Sequence, residues 1–234
     1  MKDEQIKHKA KKIERPILFS TQMVRAILDG MKTQTRRPIP ILPKRNQSVY
    51  HVAEDKYCFA TDHANGYVSG MSKYFRKPYE VGDYLWVRET WNHENYPYPY
   101  QDGAQVFYRA DLWDDTHGLD GEKSQESKYR HWLPSIHMPR SASRLTLEVT
   151  AIRTEPLLEI SDMDAIKEGT FYSLKREPDF PILIGIDWDG VEKALAPGVA
   201  RADFSYMWRS IYPSGPKSWD MAPWVWVIDF EVVK

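Results

Sequence analysis

Two spacings of apolar residues run through this chain, one of period two and one of helical period, and together they predict a mixed α+β fold. The cleanest alternation lies at Ser143–Arg153. There Leu145, Leu147, Val149 and Ala151 interleave with Arg144, Thr146, Glu148 and Thr150, as in a half-buried strand, and Pro156 ends it. A first strand is predicted at Arg15–Phe19, entered through Pro16. Ser20 or Thr21 then caps a short helix with its stripe at Met23, Val24, Ile27 and Leu28, and Gly30 stops it. A polar strand follows at Lys32–Arg37, closed by Pro38 and Pro40.

Further on, Val81-Gly82-Asp83 is a turn into a strand at Tyr84–Trp91, which carries Arg88 on one face and Glu89 on the other. A charge on each face of an apolar strand points to a pocket. Ser161 opens a second helix that buries Ala165 and Ile166 and stops at Gly169. Residues 202–211 are helical, with Phe204, Met207, Trp208 and Ile211 at core spacing, and Trp224–Val232 is a closing strand. Between these elements lie three stretches read as loop insertions, near 41–78, 92–135 and 170–200. The first holds an expected hairpin at Asn65-Gly66, and the second a short strand at Gln105–Tyr108. Residues 1–14 read as a disordered basic tail with five lysines by Lys12, and residues 15–234 as one domain with insertions.

Composition narrows the function classes. The chain is 42% hydrophobic and 28% charged, ordinary for a protein with a core. Its 32 basic and 33 acidic residues give a net charge of -1, so nucleic-acid contact needs a local patch. Lys32, Arg36, Arg37, Lys44, Arg45, Arg140 and Arg144 are candidates for one, with Trp86, Trp91 or Trp132 to stack on a base; a solvated face is the alternative. A single cysteine, Cys58, excludes an internal disulfide and suits a reducing compartment, so the expectation is a cytoplasmic protein. No apolar stretch reaches membrane-helix length. The histidines lack ligand spacing and no glycine-rich phosphate loop is present, so neither metal nor cofactor is expected.

Gly30-Met31-Lys32-Thr33-Gln34-Thr35-Arg36-Arg37, followed by Val81-Gly82-Asp83, resembles the ASCH (activating signal cointegrator homology) family. The Leu-Glu-Val-Thr strand at 147–150, the Ile160–Gly169 helix and the closing strand match it in kind and order. Val87–Trp91 and Pro134–Arg140 are similar to the longer ASCH-like proteins of phages and prophages. The resemblance covers about half the chain. It implies a small open β-barrel of the PUA-like kind, flanked by short helices, and a ligand that is a nucleoside or modified base, or RNA or DNA.

A compact branch of that family deacylates N4-acetylcytidine, and by motif its catalytic set falls on Lys32, Thr35 and Glu168. A desolvated lysine accepts the threonine proton, and a glutamate passes it to the leaving amine. In one regular strand Lys32 and Thr35 would face opposite sides, so this chemistry requires an irregular backbone at Lys32. Thr33, Arg36, Arg37, Trp86, Arg88, Glu89, His137 and Arg140 are the candidate ligand-binding residues. The alternatives are a solvated Lys32, and pairing of Arg37 and Arg88 with Glu89 or Asp83. The two functions differ at one position. An enzyme loses turnover on Lys32→Ala with its fold intact, whereas a non-catalytic nucleic-acid binder loses about one unit of salt slope.

Overall fold

A computed structural model describes residues 13–44, 46–53, 55–64, 66–111, 132–170 and 197–233. It is mixed α+β, with strands predominating. In chain order the elements are β1 (Glu14–Leu18), α1 (Thr21–Leu28), β2 (Gln34–Pro38), β3 (Ser48–Ala53), β4 (Lys56–Asp62), β5 (Val68–Ser69), β6 (Phe75–Arg76), β7 (Tyr84–Arg88), β8 (Trp91–His93), β9 (Val106–Tyr108), β10 (Thr146–Pro156), α2 (Asp162–Lys167), α3 (Val199–Ile211) and β11 (Trp224–Val233). The tail before Ile13, Asn65 of the expected hairpin, Arg45 and most of the 170–200 insertion lie outside the described residues.

The main sheet has the order β1-β7-β10-β11-β2, with β1 parallel to β7 and the other pairs antiparallel. Its two ends, β1 and β2, do not pair with each other. No ladder among the described residues closes it into the barrel expected from the resemblance. β11 is buried on both faces because each covers a separate core. Trp226, Ile228 and Phe230 pack with Ile17, Phe19, Met23, Val24, Ile27, Leu85 and Leu147. Val225 and Val227 pack against Leu157, Ala165, Ile166, Phe204 and Trp208 from α2 and α3.

The stretch at 41–78 is not irregular. It forms a second, four-stranded sheet of β3 to β6. Tyr57 meets the Trp226 ring edge-on at 4.9 Å, and Phe59 lies 6.0 Å from Trp224, so aromatic side chains dock this sheet on the first core. Its strands carry little apolar alternation of their own, and its partners are far away in sequence. The expected strand at 84–91 is two strands, broken at Glu89–Thr90, and β8 turns away to pair with β9. Leu28 and Ile211, read as core positions, are exposed at the ends of their helices.

Candidate functional site

The Gly30–Arg37 motif begins outside any strand. Gly30 has φ +71°, and the backbone amides of Met31 and Lys32 both donate to the Ala26 carbonyl, wrapping the chain round the end of α1. The Thr33 amide then donates to the Lys167 carbonyl, and β2 starts only at Gln34. This irregular turn drops the Lys32 side chain, 1% exposed, under the end of α2. All three of its ammonium protons are used there. Nζ donates to the Gln34 carbonyl at 2.8 Å, the Glu168 carbonyl at 2.9 Å and Glu168 Oε2 at 2.7 Å. Burial pushes the Lys32 pKa down, and Glu168 opposes that shift.

From Gln34 onward the side chains alternate. Gln34 and Arg36 face α2, where Arg36 makes five bonds. Nε and Nη2 donate to Glu155 Oε1 at 3.0 and 2.5 Å, Nη2 to Asp164 Oδ2 at 3.1 Å, and Nη1 to Gln34 Oε1 at 2.6 Å and Glu168 Oε1 at 3.2 Å. Burial works against the Arg36 charge, but Glu168, Glu155 and Asp164 together outweigh it and raise its pKa. Arg153 joins Glu155, Asp164 and Asp229 at 3.2, 2.8 and 3.1 Å on the outer side of this network. Every member has partners, which a buried polar cluster requires.

The motif thus brings Lys32 and Glu168 into contact and leaves Thr35 apart. Thr35 pairs with Ile228 on the opposite face of β2 and is buried, and among the described residues no hydrogen bond joins its hydroxyl to Lys32. An ammonium whose three protons are all engaged has no lone pair to accept another. Thr33 is exposed, its amide and carbonyl engaged with Lys167 and Phe230.

A separate cavity of about 590 Å³ opens beside the β1 edge. Its walls include Phe19, Ser20, Met23, Tyr79, Thr90, Ser135 and Tyr212, and two arginines reach it from different strands, Arg37 of β2 and Arg88 of β7. Among the described residues no carboxylate lines it. Arg37 Nη2 donates to the Leu18 carbonyl at 2.8 Å, with its guanidinium 5.3 Å from the Phe19 ring. Arg88 Nη1 donates to the Ile136 carbonyl at 3.3 Å, with its guanidinium 4.6 Å from the Trp86 ring. Each is thus held by one carbonyl and one aromatic face. The alternative pairing of these arginines with Glu89 or Asp83 does not occur. Glu89 takes Arg144 at 2.9 and 3.0 Å, and Asp83 accepts the amides of Ile13 and Glu80.

The remaining candidates are dispersed. Trp86 is buried beneath Arg88, Glu89 is buried behind Arg144, and His137 is exposed. Arg140 is exposed and paired with Glu14 at 2.9 Å. The proposed basic patch is not one surface, because Lys32 and Arg36 are internal while Arg140 and Arg144 face carboxylates. Trp91 is buried against Met138, and the Trp132 ring lies 5.7 Å from the Arg109 guanidinium. Missed from the sequence were Phe19, Tyr79 and Tyr212, and the acidic members Glu155, Asp164 and Asp229. One signal was present, since Asp229 interrupts a strand that is otherwise apolar from Trp224 to Phe230.

Among the described residues no group of His, Cys, Asp and Glu could hold a metal ion, and no helix is long and apolar enough to cross a membrane. Fold and site together define a mixed α+β protein with a cationic, aromatic-walled cavity at the open edge of its main sheet. Compared with known proteins, the chain matches no family model, no curated protein and no solved structure.

Proposed function

We propose that this chain is a binding module of the ASCH, PUA-like kind that recognises a nucleobase-bearing ligand in the cavity beside β1. The carrying observation is the lining, which pairs two arginines with Phe19, Tyr79 and Tyr212 and, among the described residues, includes no carboxylate, in a chain of net charge -1. Aromatic faces stack on bases, and guanidinium groups pair with phosphate or with base edges. The bond from Arg37 to the Leu18 carbonyl links β2 to β1, which supports a barrel-like curl of the sheet. A lone thiol at Cys58 suits a cytoplasmic setting.

The test is a titration followed by tyrosine and tryptophan fluorescence, with cytidine, N4-acetylcytidine and single-stranded RNA and DNA as probes. Saturable binding of at least one is expected. Tyr79→Ala or Tyr212→Ala should weaken it roughly tenfold, in line with one lost stacking contact. Absence of saturable binding to every probe sinks this reading.

One contact favours a second reading, hydrolysis of an N4-acylcytidine-type amide. Lys32 and Glu168, two of the three residues carried over by motif, touch at 2.7 Å, and burial lowers the Lys32 pKa. Turnover would require Lys32 to leave its three acceptors and Thr35 to become reachable. Release of acetate from N4-acetylcytidine, lost in Thr35→Ala at unchanged melting temperature, would support it over the binding module.

A further inference from the structure

The two arginines of the cavity differ from five others of the chain. Arg36, Arg140, Arg144, Arg153 and Arg209 all contact carboxylates. Among the described residues neither Arg37 nor Arg88 does, although both guanidinium groups are pinned by a carbonyl and a ring. A guanidinium has five N–H donors in a planar fork. Arg37 and Arg88 each spend one on a backbone carbonyl, and among the described residues the Arg88 Nε is buried without a hydrogen-bond partner. Two fixed like charges on one cavity repel each other until an anion sits between them, and a buried orphan donor adds to that demand. Thr90 and Ser135 place hydroxyls on the same lining.

What surrounds the opening limits the size of the anion's carrier. Leu18 and Ile211, both on the lining, are 45% exposed, and Ile136, next to Ser135, is 57% exposed. This rim is apolar. Two other arginines that could continue a phosphate track are already neutralised, Arg140 by Glu14 and Arg209 by Asp220, and Arg15, on β1, is engaged by the Pro78 carbonyl at 3.3 Å. A polymer held by its backbone needs successive free cations along its path, because each phosphate contact contributes separately. A cavity of about 590 Å³ with three aromatic side chains is instead the size for one small ligand.

From these observations we infer that the cavity binds a free nucleoside monophosphate, its phosphate bridging Arg37 and Arg88 and its base against Tyr79 and Tyr212. This rests on the proposed recognition of a nucleobase and specifies the ligand as a mononucleotide whose phosphate adds to the affinity of its base.

Calorimetric titration of the full chain tests it. The probes are the four common ribonucleoside 5′-monophosphates, the matching nucleosides, inorganic phosphate, and a 12-nucleotide single strand without terminal phosphates. The best monophosphate should bind at least tenfold more tightly than its nucleoside and than the oligomer. Arg37→Gln and Arg88→Gln should each weaken it by roughly tenfold or more, the size expected for charge-assisted hydrogen bonds. Each variant breaks one hydrogen bond to a carbonyl and no ion pair, so each should lower the melting temperature by only a few degrees, about 1 kcal/mol, and loss of binding is distinguishable from loss of fold. A nucleoside that binds as tightly as its monophosphate overturns the inference and leaves base recognition standing. So does an oligomer that binds more tightly. Inorganic phosphate binding as well as the best monophosphate also overturns it, by removing the role of the base. Binding of none of the probes overturns the inference together with the reading it rests on.

Discussion

Replacing Lys32 with methionine tests the buried network most directly. The side chain is enclosed, and its ammonium is the only partner of Glu168 Oε2 among the described contacts, while Oε1 keeps Arg36 at 3.2 Å. Breaking a buried pair by removing one partner costs about 3–5 kcal/mol, because the other charge is left behind. The remaining hold by Arg36 points to the lower end, about 3 kcal/mol. At this chain length that corresponds to a fall in melting temperature of about 6–12 °C. Burial pushes the Lys32 pKa down, and exchanging a buried ion pair for well-packed apolar residues is often neutral or stabilising. Lys32→Met combined with Glu168→Leu should therefore recover at least about 2 kcal/mol of the loss, since Arg36 retains Gln34, Glu155 and Asp164. Urea denaturation followed by tryptophan fluorescence reads both variants. A loss below about 1 kcal/mol in Lys32→Met, the range of an exposed lysine, would refute the enclosed network. The same number matters for catalysis, because the fold-neutral Lys32→Ala expected from the sequence is not available at this position.

Three further predictions concern the supports of the site. Gly169 has φ +81°, and a Cβ there would lie 2.8 Å from the Ala26 Cβ and 3.2 Å from the Lys32 Cβ, so Gly169→Ala should destabilise by more than about 1 kcal/mol in the same denaturation assay. An unchanged midpoint would count against the tight approach of α2 to the motif. Ser161 caps α2, its hydroxyl accepting from the Asp164 amide at 3.1 Å; Ser161→Ala should cost about 1 kcal/mol, and a loss near zero would show the cap to be unimportant. Burial raises the Glu89 pKa, against the pull of Arg144. A carboxyl raised in the folded state contributes stability that is full below its unfolded pKa, about 4.3, and is lost as pH rises through the folded value. The stability of the wild type relative to Glu89→Gln should thus fall as pH rises above about 4.3; a relative stability that rises from there contradicts the assignment.

Much of the backbone was legible along the chain because its signals are local. The caps at Ser20 and Ser161, the positive-φ glycines Gly30 and Gly169, and the alternation of β10 as far as Val149, where a bulge turns Ala151 outward, each depend on residues within a few positions of one another. The closing strand was readable for the same reason, its run of β-branched and aromatic residues needing no knowledge of partners. The irregular backbone at Lys32 was expected as the condition for Lys32 to meet Thr35; the turn is there, but it carries Lys32 to Glu168 and leaves Thr35 on the other face of β2.

What the chain order could not decide was which distant residues share a space. The 41–78 stretch became a sheet only because Trp224 and Trp226, more than 140 positions later, offer it aromatic surface. Period-two alternation placed Thr35 and Arg36 on opposite faces, but only the packing of α2 on one of those faces turned Arg36 into an internal cation and kept Thr35 from Lys32. Arg37 and Arg88 were candidates from the start, and so was their capture by Glu89 or Asp83. The choice was made elsewhere, when Arg144 took Glu89 and the amides of Ile13 and Glu80 took Asp83. Charge pairing is a competition among all groups that the fold brings within a few ångströms. Sequence sets the competitors, and tertiary structure leaves two of them without a carboxylate.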